Sequence, residues 1–449
     1  MKNAVKCLVL WVSLLGASTV WPQVREEWVA RFHGSGNSED SANAITVDGV
    51  GNVYVTGYSE GEGTDRDYVT VKYDPDGNQQ WVARYNGPGN GPDYATAIAR
   101  DSAGNLYVTG ASLGDGTSFD YATVKYDSDG NQIWVARYNG PSNLADSANA
   151  VAVDNAGGVY VTGPSQAMGR QDYATVKYDS DGNELWVARY NGPGNGADTA
   201  FAMVLDSMAN VYVTGQSLGT ASRDSYAYAT VKYDSNGNEQ WVARYNGLAD
   251  GYNIALAIGL DGAGNLYVTG ESQGVGINFD YATVKYDSNG NQLWAARYHG
   301  PENGEEGAFA IAVDTDGNAY VTGMSHGTRP HYDYATVKYD SEGNEQWVTR
   351  YGGPDDRDNF AKSIALDTAA SVYVTGYSRG AGRLSDYVTV KYDSAGNEQW
   401  VARYHNPASS GFDAAHAMAL DAGGNVYVTG TSSNVDDSGD YATVKYVQK

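Results

Sequence analysis

Three short phrases recur eight times along the chain, and this repetition limits the possible folds more than any other feature. The first residues of the first and last copies are Trp28 and Trp400 for W-[VA]-[AT]-R-[YF], Tyr54 and Tyr427 for Y-V-T-G, and Tyr68 and Tyr441 for Y-[AV]-T-V-K-Y. Successive Y-V-T-G copies lie 52 to 55 residues apart. A constant period of this length is typical of one structural unit stacked or arranged in a circle.

Each unit contains four candidate β-strands separated by turn residues. In the first unit they are Ala44–Val47, Val53–Tyr58, Tyr68–Tyr73 and Trp81–Tyr85. Their β-branched and aromatic content favours strands, and the intervening D-x-x-G-N sequences favour tight hairpins. Four antiparallel strands in a unit of about 50 residues predict one blade of a β-propeller. We label the strands A to D from the propeller axis outward.

The order of the phrases predicts how the propeller closes. A lone D strand, Trp28–Phe32, precedes the first complete unit, and the last unit contains only strands A, B and C before the chain stops at Lys449. The first strand can therefore complete the last blade, which would otherwise expose an unpaired edge. The sequence predicts an all-β fold with a single eight-bladed propeller of four-stranded antiparallel blades over residues 28–446.

The repeat also resembles a known family. The phrase A-x-A-I-A-V-D-x-x-G-N-V-Y-V-T-G, followed by K-Y-D-x-x-G-N, is similar to the bacterial SBBP repeat, the so-called seven-bladed β-propeller repeat. The similarity covers nearly all of 28–446, although this chain has eight copies. The resemblance implies a secreted or surface-associated propeller and brings no catalytic residues to transfer.

Charge excludes two classes of partner. The chain has 29 Lys and Arg against 54 Asp and Glu, a net charge of −25. Such an acidic protein would be repelled by nucleic acid and by anionic lipid. We expect a monomer whose partner is a protein or a polysaccharide.

The first 23 residues are expected to be a secretory signal peptide with an uncertain cleavage point. Lys2 and Lys6 precede a short apolar run, Cys7–Leu15, and small residues follow. Cys7 is the only cysteine, so the mature chain would have no disulfide. No later segment has the roughly 20 apolar residues of a membrane helix. These features predict a secreted, periplasmic or cell-surface protein without a transmembrane segment in its mature form.

A ring of acidic positions precedes the A strands. It comprises Asp40, Asp93, Asp146, Asp198, Glu306 and Asp413, with Asn253 and Asn359 at the two remaining places. If these side chains surround one mouth of the central channel, they offer oxygen ligands to a cation such as Ca²⁺. The favoured interpretation is simpler, because such side chains commonly accept hydrogen bonds from their own loop backbone. We expect no cofactor, and whether a metal ion binds is left open.

One sector departs most from the repeat. It lies in the D–A and B–C loops, which are longer and more varied than the A–B and C–D turns. Its candidate binding residues are His299, Glu302, Glu305, Glu306, His326, Arg329, His331, Asp355 and Asp356, with Asp358 beside them. Histidine and carboxylate side chains can bind a metal or act as acid and base. No H-E-x-x-H spacing occurs, and ordinary surface residues are the favoured alternative.

The preferred functional hypothesis is a non-catalytic extracellular or surface-associated module that binds through the D–A and B–C loops. An enzyme on the same face is the alternative. The phrase Y-D-x-x-G-N-x-x-W is similar to repeats of quinoprotein dehydrogenases, which implies pyrroloquinoline quinone, Ca²⁺ and a vicinal disulfide, but the mature chain has no cysteine. A carbohydrate lyase or hydrolase would instead need carboxyl groups with raised pKa values in a cleft.

Overall fold

The computed structural model of the protein is a closed ring of eight four-stranded antiparallel sheets. It describes residues 24–35, 39–61, 63–220, 225–248, 251–274, 276, 278–302, 304–327, 331–355, 357–380, 384–434 and 438–448. The predicted fold class and the number of blades are confirmed. The described residues contain no helix, and so none that is long and apolar enough to cross a membrane.

Strands A to D of each blade follow one another in the chain, except in blade 8. Blades 1 and 2 are β2 (Ser41–Val47), β3 (Val53–Glu60), β4 (Arg66–Tyr73), β5 (Gln79–Tyr85), and β6 (Asp93–Arg100), β7 (Leu106–Leu113), β8 (Phe119–Tyr126), β9 (Gln132–Tyr138). Blades 3 and 4 are β10 (Ala150–Val153), β11 (Val159–Ala167), β12 (Arg170–Tyr178), β13 (Glu184–Tyr190), and β14 (Asp198–Leu205), β15 (Val211–Leu218), β16 (Tyr226–Tyr233), β17 (Glu239–Tyr245). Blades 5 and 6 are β18 (Asn253–Leu260), β19 (Leu266–Gln273), β20 (Phe279–Tyr286), β21 (Gln292–Tyr298), and β22 (Glu306–Val313), β23 (Ala319–His326), β24 (Tyr332–Tyr339), β25 (Glu345–Tyr351). Blades 7 and 8 are β26 (Asn359–Leu366), β27 (Val372–Ser378), β28 (Asp386–Tyr392), β29 (Glu398–Tyr404), and β30 (Asp413–Leu420), β31 (Val426–Ser433), β32 (Gly439–Gln448) with β1 (Val24–Phe32).

The amino-terminal strand completes the last blade, as predicted. β1 pairs with β32 from Val24 opposite Gln448 to Phe32 opposite Tyr441, so the strand begins four residues earlier than Trp28. Two chain ends replace the C–D turn here, and the Gln448 side chain takes over contacts that a turn supplies elsewhere. Its Oε1 accepts from Lys391 Nζ at 2.5 Å, and its Nε2 donates to the Gly424 carbonyl at 2.8 Å.

The glycine of Y-V-T-G is required by a bulge in strand A. In blade 1 the bulge lies between Ala42 and Ala44, and it brings the Ser41 carbonyl against Gly57 of strand B. A Cβ on Gly57 would lie 1.9 Å from that oxygen. Gly270 has the same relation to the Ile254 carbonyl in blade 5, again at 1.9 Å. The eightfold recurrence of this glycine is therefore a steric requirement of the backbone.

The hydrophobic core lies between neighbouring blades. Tyr54 and Tyr68 of blade 1, for example, pack in one buried cluster with Val108 and Val124 of blade 2. The Tyr68 hydroxyl also donates to the Ala122 carbonyl of blade 2 at 3.2 Å. Each interface is built from the same phrases, so the core repeats around the ring.

The repeated cations are part of this scaffold. The Lys125 Nζ lies 5.3 Å from the centre of the Tyr107 ring and donates to the Ser180 carbonyl of the next blade at 2.9 Å. Arg137 donates to Asp120 Oδ2 at 2.9 Å and to the Tyr85 hydroxyl of the preceding blade at 2.9 Å. These contacts pair each cation with local acceptors and join adjacent blades.

The D-x-x-G-N segments are hairpin turns, as predicted. In the first C–D turn, Asp74 Oδ1 accepts from the backbone N–H groups of Asp76 and Asn78 at 3.0 and 2.8 Å. Gly77 occupies the left-handed conformation, with φ of 84°. Trp28 of the preceding blade lies against this glycine, where a Cβ would be 2.6 Å from the indole. The carboxylate thus orders the turn on which the tryptophan packs.

Candidate functional site

The two faces of the disc differ in how closely their turns and loops follow the repeated sequence. The A–B and C–D turns form one face and share nearly the same five-residue sequence. The D–A and B–C loops form the other, which we call the variable face. Loops held by a rigid scaffold are where binding residues usually occur. The candidate residues predicted from the sequence belong to this face.

The acidic ring lies beneath the variable face and is buried. Asp93 is 0% exposed, and its oxygens accept from the N–H groups of Gly87 at 2.6 Å and Leu113 at 3.1 Å. Burial raises its pKa. The Asp residues that accept a D–A loop N–H in the same way are Asp40, Asp146, Asp198 and Asp413. These bonds hold the loops in place, and a cation at the ring stays a prediction.

Glu306 is the exception in this ring. It is 0% exposed, and neither carboxyl oxygen has a hydrogen-bond partner among the described residues. Gly300 in its loop has φ of 57°, and its N–H is not donated to Glu306, whereas Gly87 donates to Asp93. Burial, reinforced by the nearby Asp280 carboxylate, raises the pKa of Glu306 to about 8, against the opposing charge of Arg350.

The raised pKa predicts a pH-dependent stability. Between about pH 4.5 and pH 8 the folded chain holds a proton on Glu306 that the unfolded chain releases, so the free energy of unfolding falls as the pH rises. Glu306→Gln removes the titrating carboxyl group, and with it this fall in the free energy of unfolding. We expect the variant to exceed the native protein in stability by on the order of 2–4 kcal/mol above pH 8, and to match it near pH 4.5.

Thermal melting at both pH values, followed by circular dichroism, measures this difference. The control is Glu345→Gln, at an exposed position at the start of β25. A gain of equal size at both pH values in Glu306→Gln would contradict the assignment.

The remaining predicted residues form two groups and several single positions. Tyr332 connects the two groups, because its backbone N–H donates to Asp358 Oδ1 at 3.4 Å. Glu305 Oε2 accepts from the Tyr332 hydroxyl at 2.8 Å, and His326 lies edge-on to the Tyr332 ring. Asp358 lies 3.6 Å from His331 Nδ1 and 3.6 Å from Arg379 Nη1. His299 lies apart from both groups, with Nδ1 2.9 Å from Asp280 Oδ2.

The predicted sector contains four further residues. Glu302 and Asp355 are exposed. Arg329 and Asp356 lie outside the described residues. Among the described residues of the sector, Tyr332 thus links Glu305 and His326 with Asp358, whereas His299 lies beside Asp280.

A compact group of metal-capable side chains occurs elsewhere. Within the described ranges, His33, Asp40 and Asp440 are the group of three whose ligand atoms lie within 4.8 Å of one another. Asp440 Oδ1 lies 2.8 Å from His33 Nδ1, and its Oδ2 accepts from Arg31 at 2.9 Å. The arginine already neutralises this carboxylate, which weakens its attraction for a cation.

Sequence reasoning missed a series of aromatic rings on the variable face. The aromatic run consists of Tyr332, Phe360, Tyr377 and Phe412, with His326 at one end. Consecutive ring centroids of the four lie 5.6, 5.1 and 5.6 Å apart. The first three rings are partly exposed, and Phe412 is 42% exposed. The run extends from blade 6 to the loop that enters blade 8.

A comparison of equivalent positions in the repeats could have revealed the aromatic run. The positions equivalent to Phe360 hold Ser41, Ser147, Thr199 and Gly307 in other blades. The scaffold therefore does not require an aromatic side chain there. Two shorter aromatic groups occur on the same face, at Tyr58, Tyr94 and Phe119 and at Tyr226, Tyr252 and Phe279.

A lysine of strand A lies beside the aromatic run. Lys362, the bulge residue of β26, lies 4.5 Å from the centre of the Phe309 ring and 5.9 Å from that of Tyr377. No carboxylate of the described chain lies within 4 Å of it, although Glu271 lies near enough to stabilise its charge. Burial lowers the pKa of Lys362 and raises the pKa of Glu271. The charge of each residue opposes the pKa shift that burial causes in the other.

Known proteins resemble this chain mainly in its repeats. The family model of the SBBP β-propeller repeat matches residues 27–63, 80–116, 308–329 and 346–382. An uncharacterised WD repeat-containing protein of Acanthamoeba polyphaga mimivirus is 24% identical over 372 residues, 68% of this chain and 26% of that protein. The regulatory protein FlaEY of Caulobacter vibrioides is 31% identical over 120 residues, 23% of this chain and 12% of that protein. The matched regions thus span only 26% and 12% of the lengths of these two relatives.

Among solved structures, Sqt1 of Chaetomium thermophilum has a TM-score of 0.60 to this chain at 11% identity. The alignment covers 94% of this chain and 98% of Sqt1. At this identity the likeness establishes the propeller fold alone. The SBBP repeat model matches four segments of this chain, and the eight closed sheets show that the chain is a β-propeller repeat protein.

Proposed function

We propose that the protein is a non-catalytic binding module that takes its ligand on the variable face. The observation that supports this proposal is the aromatic run. The aromatic residues of the repeated phrases pack between blades, as Tyr54 and Tyr68 do. The rings of the run stand outside that pattern and are partly exposed. Large aromatic side chains that the fold does not require are typical of binding surfaces.

The opposite face offers no comparable arrangement among its described turns. Its carboxylates accept hydrogen bonds within their own turns, as Asp48 does from Val50 and Asn52. Its exposed apolar side chains, such as Val50 and Met208, occupy the tips of separate turns. Isolated apolar residues of this kind are ordinary at protein surfaces.

A binding role is favoured over catalysis by the position of Glu306. This carboxyl group has a pKa raised to about 8, as a general acid requires. However, it is 0% exposed beneath the loop. A catalytic carboxyl must come within hydrogen-bond distance of the reacting atoms. A ligand held at the surface would not meet Glu306 in this arrangement.

We also propose that the module acts outside the cytoplasm, as a secreted, periplasmic or cell-surface protein. The support comes from the signal-like pattern of residues 1–23, which lie outside the described residues. The sole cysteine, Cys7, belongs to that segment. A chain without further thiols has none to be oxidised in such a compartment.

The experiment compares variants of the two faces. Native protein is measured by biolayer interferometry against immobilised polysaccharides and peptides, together with Tyr377→Ala/Phe412→Ala and Ile133→Ala/Leu185→Ala. Ile133 and Leu185 are 54% and 55% exposed, next to C–D turns on the opposite face. We expect the first variant to lose about tenfold in affinity for any bound ligand, and the second to retain it. Equal binding by all three proteins would contradict a ligand on the variable face.

A further inference from the structure

We infer that the aromatic run is a platform for a neutral polysaccharide chain. This inference depends on the proposed function, because it names the ligand class of the same surface. It rests on three features of the described residues: the serial arrangement of the rings, the acceptors that flank them, and the sign of the surrounding charge.

The ring arrangement suits an extended ligand. Tyr332, Phe360, Tyr377 and Phe412 contact one another in series, with centroids 5.1 to 5.6 Å apart. Tyr332 belongs to blade 6, Phe360 and Tyr377 are paired in blade 7, and Phe412 lies in the loop that enters blade 8. The rigid sheets therefore fix the spacing of the first three rings. A pyranose ring has one face covered by C–H groups, which packs on an aromatic ring by dispersion and weak C–H contacts. Successive rings can thus contact successive sugars of one chain.

The polar groups beside the rings suit a ligand rich in hydroxyl groups. Glu305 is exposed and accepts from the Tyr332 hydroxyl at 2.8 Å, which leaves acceptor capacity on its carboxylate. Asp358 is 28% exposed between His331 and Arg379. Carboxylates accept strong hydrogen bonds from O–H donors, and a sugar presents several donors around each ring.

The charge favours a neutral polymer over an anionic one. The whole chain carries −25, and Glu305 borders the run directly. Lys362, beside Tyr377, and Glu271 lie near enough to stabilise each other's charge, so this pair adds no net charge. A polyanion would meet repulsion at long range, whereas a neutral polysaccharide would not.

The test uses affinity gel electrophoresis and calorimetry on the full chain. The neutral probes are hydroxyethyl cellulose, xyloglucan, galactomannan and soluble starch, and the anionic probes are alginate and hyaluronan. A random peptide library tests the protein alternative. The variants are Tyr377→Ala, Phe412→Ala, the ring-preserving Tyr377→Phe, and Phe119→Ala in blade 2 as a control outside the run.

We expect at least one neutral probe to bind, with an affinity about tenfold weaker in Tyr377→Ala and in Phe412→Ala. Tyr377→Phe and Phe119→Ala should stay within about twofold of the native protein, because the stacking surface of the run is intact. Melting curves confirm that each variant is folded.

Three outcomes would overturn the inference: binding of the anionic probes or peptides alone, no binding of any neutral probe, or neutral binding that the ring variants do not change. Ring-dependent binding of a peptide or an anionic probe would still support the proposed function. If the ring variants leave every bound ligand unaffected, the proposed function fails as well.

Discussion

A chain that lacks residues 24–32 is expected to be unfolded or to melt far below the native protein. The deletion removes β1, which pairs with β32 over eight positions and closes blade 8. Each ladder hydrogen bond contributes roughly 0.5–1.5 kcal/mol, and losing a large packed side chain such as Trp28 costs roughly 3–5 kcal/mol. The sum is comparable to the roughly 5–15 kcal/mol of a typical domain.

Loss of β1 would also break contacts between blades. Trp28 lies against Gly77 and near the rings of Tyr73 and Tyr427. Arg31 donates to Tyr404 of blade 7 at 2.9 Å and to Asp440 of its own blade at 2.9 Å. Without these contacts blade 8 would expose both an edge and an apolar face.

Thermal melting by circular dichroism measures the effect of this deletion. The matched control begins at residue 24 and so removes only residues 1–23. We expect this control to melt like the full chain, and the deletion to recover part of its stability when a peptide of sequence VREEWVARF is added. Identical melting of the deletion and the control would show that β1 does not close the ring.

Gly270→Ala is expected to destabilise the propeller by about 3 kcal/mol or more. The new Cβ would lie 1.9 Å from the Ile254 carbonyl oxygen, which is backbone of the adjacent strand and cannot rotate away. Relief requires the bulge between Ala255 and Ala257 to move, and strain of this kind in a packed sheet exceeds the effect of most surface substitutions.

The control for Gly270→Ala is Gly262→Ala in the same blade. A Cβ on Gly262 has no atom within 4 Å, and other blades place Ser102 and Thr315 at the equivalent position. We expect this control to change the free energy of unfolding by less than about 0.5 kcal/mol in urea denaturation. Equal effects of the two substitutions would show that strand A accommodates a side chain at the bulge.

Much of the scaffold could be predicted because it repeats. Eight equivalent copies separate structural requirements from local variation, since a position filled alike in every blade, such as that of Lys125 or Arg137, is explained by the blade itself. Even here the sequence left details open. The bulge that makes glycine necessary at position 270 follows from the backbone geometry of two paired strands. No residue type in strand A indicates it.

The candidate site was less predictable, and Glu305 and Glu306 show why. The sequence places these two neighbours in one loop and predicts that both belong to the same group of binding residues. Successive side chains point to opposite sides where a strand begins, so Glu305 is exposed beside Tyr332 while Glu306 is buried. His299 is also placed away from the loop partners expected for it, beside Asp280.

The sequence by itself determined the blade, the number of blades and the closure by the first strand, because these follow from short patterns repeated at a constant spacing. Only the tertiary structure decided which side chains of different blades meet on the variable face. Tyr332 meets Phe360, and Tyr377 meets Phe412, through the packing of neighbouring blades, whereas Phe360 and Tyr377 are paired within blade 7. Such contacts join positions at which the repeat varies, so no periodicity in the sequence records them.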